Sequence, residues 1–172
     1  MIVSALQIGL IPAIALYLGY CRASMRSRIN RSWESLIARL SPDLCARALS
    51  DHAPWREGLS ITPDETWERI HGAHGLWVMF KNAGIMQEMA DFAAENCTSV
   101  DRTLILTLRS DATQMRTCAL KTLVRYLGSY ASESVRISAF QTASRYTGMA
   151  ARMTQLMQES APSALPQFVG AM

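Results

Sequence analysis

Residues 99–130 read SVDRTLILTLRSDATQMRTCALKTLVRYLGSY, and within them Leu104, Leu108, Ala112, Met115, Ala119, Leu123, Tyr126 and Tyr130 recur at three- and four-residue steps. Such a pattern, almost in heptad register, places one apolar seam along a single long helix. Ser99 stands where a helix cap is expected, and about thirty residues pass without a proline. A helix carrying one apolar stripe must bury it against others, and the flanking segments supply them.

Upstream, Leu76, Met79, Phe80, Ala83, Met86, Met89, Ala90 and Ala93 trace a second helical face ending near Asn96, with Gly84 the one weak helix former on it. Downstream, Ser132 precedes Val135, Ala139, Phe140, Ala143, Tyr146, Ala150, Met153 and Met157, a third stripe that Gly148 weakens. Short connections make these neighbours antiparallel. The expected fold is all-α: an antiparallel helical bundle over residues 41–159. No period-2 strand pattern and no solenoid repeat appears.

Shorter segments complete the bundle. Thr62-Pro63-Asp64-Glu65 has the spacing of a capping box, with an acidic first turn that favours the helix dipole, and predicts a helix to about Ile70. Ser41-Pro42 predicts another short helix to about Ser50, and Asp51–Ile61, with Pro54 and Gly58, reads as a loop pinned by Trp55 and Leu59. From Ser160 onward, Pro162, Pro166 and small residues predict a flexible tail over 160–172.

The N-terminus is of a different kind. Ile2–Tyr20 is uncharged and mostly apolar, and Arg22, Arg26, Arg28 and Arg31 follow at once. Nineteen helical residues rise about 28 Å, close to the ~30 Å hydrocarbon core, so residues 1–21 are expected to form a single transmembrane anchor. Pro12 predicts a mild bend. A secretory signal peptide competes with this reading, but it requires a basic start and small residues at its cleavage site. Met1-Ile2-Val3 carries no basic residue, and Tyr20 fills the position where the lipoprotein-like Leu18-Gly19-Tyr20-Cys21 would need a small one. Ala5, Gly9 and Ala13 place small side chains on one stripe, which reads either as ordinary membrane composition or as a helix-packing face.

Residues 22–40 predict a basic amphipathic juxtamembrane helix, with Met25, Ile29, Trp33, Leu36, Ile37 and Leu40 on one face. Its arginines serve either to orient the span or to meet anionic lipid heads. Basic residues stay cytoplasmic, so the expected location is an inner or plasma membrane, single-pass, with the N-terminus outside and the C-terminal domain cytoplasmic.

Composition excludes little and points to no chemistry. A formal charge of +3 over 172 residues does not suggest nucleic-acid binding, and 15 of the 17 basic residues are Arg. Cys21, Cys45, Cys97 and Cys118 are too far apart for a zinc-ligand pair, and a cytoplasmic domain would keep them reduced. Glu68, His71 and His74 fall at three-residue intervals and would share one side of a continuous helix as metal ligands. A carboxylate-bridged di-metal bundle requires a second Glu-x-x-His set, which is missing, and Gly72 and Gly75 favour a turn. Neither a nucleophile elbow nor a phosphate-binding glycine loop is present. Arg102, Arg109 and Arg116 repeat every seven residues, reading as a solvated or ion-paired flank or as a surface for an acidic partner. The Met-rich stretches Met79–Met89 and Met149–Met157 read as adaptable core or, if exposed, as a groove for a partner helix.

The expected function is a membrane-anchored helical interaction or accessory-subunit protein, not an enzyme, with no cofactor. Its expected partners are the lipid bilayer and either a protein partner or a second copy. The alternatives are a membrane-tethered sensor or regulator and a metal- or haem-binding bundle. A reporter fused after Met172 tests the orientation: a reporter active only in the cytoplasm gives signal, whereas activity of a periplasm-only reporter refutes it.

Overall fold

The computed structural model describes residues 31–42, 62–97, 100–129 and 132–172. The span at Ile2–Tyr20, its Ala5–Gly9–Ala13 stripe, Arg22, Arg26, Arg28, and the segments expected between Asp43 and Ile61 lie outside the described residues. Arg31 falls inside them and is half-buried. Among the described residues no helix is long and apolar enough to cross a membrane.

Trp33–Met172 forms one compact unit built from helices. These are α1 (Trp33–Ile37), α2 (Pro63–Arg69), α3 (Ala73–Asn96), α4 (Arg102–Ser129), α5 (Glu133–Ser160) and α6 (Leu165–Ala171). The three long helices pack against one another, as their stripes require. Side-chain pairs fix the directions: Phe80 lies under Arg116 while Asp91 meets Arg109, so α3 and α4 run antiparallel. Asp111 meets Arg152 while Arg125 meets Ser138, so α4 and α5 do too.

The short helices cover the remaining faces, α2 against α5, α1 against α3, and α6 against α5 and α1. Within the predicted helix 22–40, the described part is helical over Trp33–Ile37 and then tightens into a turn, with Arg39 and Leu40 bonded to the carbonyls of Leu36 and Ile37. Leu36, Ile37 and Leu40 enter the core. The apolar face of this segment is therefore covered by protein.

Each local start has its own cause. The Glu65 amide donates to Thr62 Oγ1 at 3.2 Å, and the Thr62 amide donates back to Glu65 Oε2 at 3.1 Å, closing the capping box on α2. Ser99, the expected cap of α4, lies outside the described residues; at the start of the helix Asp101 Oδ1 accepts the Thr103 amide at 2.8 Å. The Thr103 hydroxyl and amide hold the Asp101 carboxyl below its ordinary value. That contribution to stability is present above the unfolded-chain value and is lost as pH falls through the lower folded one.

The predicted tail is a correction. Residues 165–171 form α6, and Ala161, Ala164, Phe168 and Met172 are buried in the core. Pro166 falls within the first turn, where an amide would have no intrahelical acceptor, so it starts this helix without breaking it. Leu165, Phe168, Ala171 and Met172 then share the side that packs inward.

One polar bridge runs through this core. Asn82, on α3, is fully buried. Its Oδ1 accepts the Ser41 amide at 3.0 Å, and its Nδ2 donates to the Ser41 carbonyl at 3.1 Å and to Tyr146 Oη at 2.9 Å. The side-chain amide thus pairs with both backbone groups of one residue, as a neighbouring strand would. Tyr146, also fully buried, donates from its hydroxyl to Met172 Sδ at 3.8 Å. Asn82 and Tyr146 together join four separated parts of the chain.

Asn82→Ala is expected to cost about 3 kcal/mol, because it strands buried partners as well as removing bonds. Tyr146→Phe should cost about 1 kcal/mol, and in urea denaturation the double variant should fall short of the sum. Two glycines give opposite expectations. A Cβ on Gly75 would lie 1.9 Å from the Ile70 carbonyl oxygen, whereas one on Gly148 meets nothing within 4 Å. Thermal melts should show Gly75→Ala destabilised by about 3 kcal/mol and Gly148→Ala stabilised by about 0.5–1 kcal/mol.

Candidate functional site

The expected metal candidates Glu68, His71 and His74 are parted by a helix stop. After α2 the His71 amide bonds to the Glu68 carbonyl at 3.0 Å and the Gly72 amide to the Trp67 carbonyl at 2.9 Å. His71 takes φ 56° and Gly72 φ 60°. This is the left-handed stop that satisfies the last carbonyls of a helix, and the three-residue interval across it no longer marks one face. Gly72 is needed there, since a Cβ would also lie 2.9 Å from the Trp67 ring. All three candidate side chains are exposed. Among the described residues, no group of three or more His, Cys, Asp and Glu side chains is placed to hold a metal ion.

The seven-residue arginine repeat is used within the fold. Arg109 Nε lies 2.6 Å from Asp91 Oδ1, and the Arg116 guanidinium sits 4.7 Å over the Phe80 ring, itself stacked on Trp77. Both contacts lock α4 to α3. Arg102 is exposed at the start of α4. The Met-rich stretches are core: Met79, Met86, Met89, Met149, Met153 and Met157 are all buried. Cys97 and Cys118 are free thiols, half-buried.

Among the described residues Leu106, Ile137 and Val169 are exposed singly, while a run of exposed apolar side chains gathers at the end of α4. The seam Leu104, Ile105, Leu108, Ala112, Met115, Ala119 and Thr122 is buried, but beyond Thr122 no side chain through Gly128 is. Leu120, Val124 and Leu127 follow at i, i+4 and i+7 and so line one stripe. They are 49%, 60% and 81% exposed. Lys121 and Arg125 are exposed beside them. Arg125 donates to Ser138 Oγ at 3.1 Å, and neither cation has a carboxylate partner among the described residues.

Antiparallel packing brings the first turns of α3 alongside this end of α4, adding Trp77, itself 48% exposed. The site is therefore an apolar stripe with a cationic edge on a rigid helix, suited to binding another surface. Sequence periodicity had placed Leu123 and Tyr126 on the seam but assigned Leu120, Val124 and Leu127 no role. The available signal was a second apolar row, one residue on from the seam positions Ala119, Leu123 and Tyr126.

No family model matches this chain, and neither a curated protein nor a solved structure was found to match it. A functional reading therefore rests on the residues themselves.

Proposed function

We propose that the chain is a membrane-anchored helical interaction or accessory subunit whose bundle offers the end of α4 to a partner protein. The observation that carries this reading is the stripe of Leu120, Val124 and Leu127 standing in solvent on an otherwise well-packed bundle. Charge selects the kind of partner. Among the described residues Lys121 and Arg125 flank the stripe without carboxylates of their own, so the complementary surface is an amphipathic helix with apolar side chains edged by Asp or Glu. The N-terminal apolar run would hold the bundle at the membrane, where such a partner would be another membrane-associated subunit.

Burying three aliphatic side chains contributes about 1.5 kcal/mol each, so removing them should weaken the complex roughly a thousand-fold. The full chain is purified from its native membrane in mild detergent, as wild type and as Leu120→Ser/Val124→Ser/Leu127→Ser. The wild type is expected to carry a stoichiometric partner that the triple variant loses while keeping its melting temperature. Retention of the partner by the variant, or a wild type that purifies alone and monomeric, overturns the proposal. A wild-type homodimer dissolved by the same substitutions would put a second copy in the partner's place.

A further inference from the structure

Across α4 from the Arg109–Arg116 row, a cleft of about 230 Å³ opens between α4 and α5. Asp111 and Gln114 form one wall, and Ser144, Arg145, Gly148 and Arg152 form the floor and the other wall. Arg145 and Arg152 stand seven residues apart, about 10.5 Å along the axis and on nearly the same face. Both reach across to α4: Arg145 Nη1 donates to Gln114 Oε1 at 3.1 Å, and Arg152 is paired with Asp111. Among the described residues the two cations therefore meet a single carboxylate.

Arg145 carries the unbalanced charge, since its partner is a neutral amide. One guanidinium N–H is committed there, leaving others of its planar fork to grip a phosphate or carboxylate group. Gly148 lies between the two arginines in the middle of α5, where glycine costs about 1 kcal/mol relative to alanine. Packing does not demand it, because a Cβ there meets nothing within 4 Å. What the missing side chain does provide is the open floor of the cleft. At ~30 Å³ per water the space holds about seven waters, the volume of a phosphate group with a short substituent.

From this geometry we infer that the cleft binds a phosphate monoester, its oxygens held by Arg145 and Arg152 across Gly148. Ser144, in the same lining, supplies a hydroxyl that donates to a further oxygen. Asp111 fixes Arg152 against α4. The ligand is either a free small molecule or the headgroup of a phosphomonoester lipid, since both present the same dianion. This site is separate from the apolar end of α4 and does not depend on the reading given to it.

Isothermal titration calorimetry on the full chain in neutral nanodiscs, with glycerol 3-phosphate as probe, tests the free ligand. Transfer into nanodiscs containing phosphatidate, with thermal stabilisation as readout, tests the lipid. Saturable one-to-one binding in either arm is expected, and the responding arm names the source. Arg145→Gln should weaken it at least ten-fold, and Gly148→Leu, which fills the floor without changing charge, should abolish it. Lys81→Gln, which removes an equal charge from an exposed position on α3 outside the cleft, should leave it unchanged. Circular dichroism confirms that each variant keeps its helices. Lack of saturable binding in both arms overturns the inference, as does wild-type affinity in Arg145→Gln and Gly148→Leu or an equal loss in Lys81→Gln.

Discussion

The bundle depends on the pairing of the Asn82 side chain with the Ser41 backbone. A buried amide that is fully bonded rigidifies its surroundings, whereas one left unpaired costs the full desolvation of its polar atoms. Asn82 meets that requirement with one backbone unit and one tyrosine hydroxyl, 2.9–3.1 Å away. The segment after α1, the middle of α3, the middle of α5 and the end of α6 are thereby held in one register. Apolar packing alone tolerates sliding of one helix past another by a turn; a paired amide does not. The surrounding core of alanine and methionine is smooth and adaptable, so the polar bridge supplies the specificity that such side chains lack.

From this register the two outer surfaces follow. With α3 and α5 fixed relative to each other, α4 packs against both and divides its polar side chains between them. Arg109 and Arg116 face α3, where Asp91 and the Phe80 ring receive them, while Asp111 and Gln114 face α5, where Arg152 and Arg145 reach over. Ion pairs this exposed contribute little to stability, but they order the rims of the helix pairs. The last turns of α4 lie beyond Thr122 with half-covered aromatics beneath them, Trp67 against Tyr126 at 5.6 Å, and an uncovered apolar row outside.

Much of the bundle was legible in the sequence because its signals are local. Thr62 to Glu65 needs four residues to be read, and the α3, α4 and α5 stripes need a few turns each. The α6 helix was missed since Pro162 just before it, Pro166 within it, its small residues and its short length look like a tail unless the apolar spacing Leu165, Phe168, Ala171 and Met172 is weighed above them. Asp101 was not singled out as a cap of α4, although it too is a cap former two residues from Ser99. The candidate site was least legible: Leu120, Val124 and Leu127 are informative by being unburied, and burial of a residue on an amphipathic helix is decided by its neighbours. Asn82 was passed over for the same reason, as its partner Ser41 lies 41 residues away.

Every methionine among the described residues, eight of them from Met79 to Met172, is buried in the core. Thioether sulfur is readily oxidised to a sulfoxide, which turns a pliable apolar side chain into a polar one that a dry core cannot hydrate. In the closed bundle the oxidant has little access to these eight sulfurs, so their oxidation is set by how often the helices part. Oxidation after such an opening would prevent the same packing from re-forming. A transient loosening of the bundle would thus be recorded in covalent form, and a core built for adaptability would become one that keeps a history of exposure.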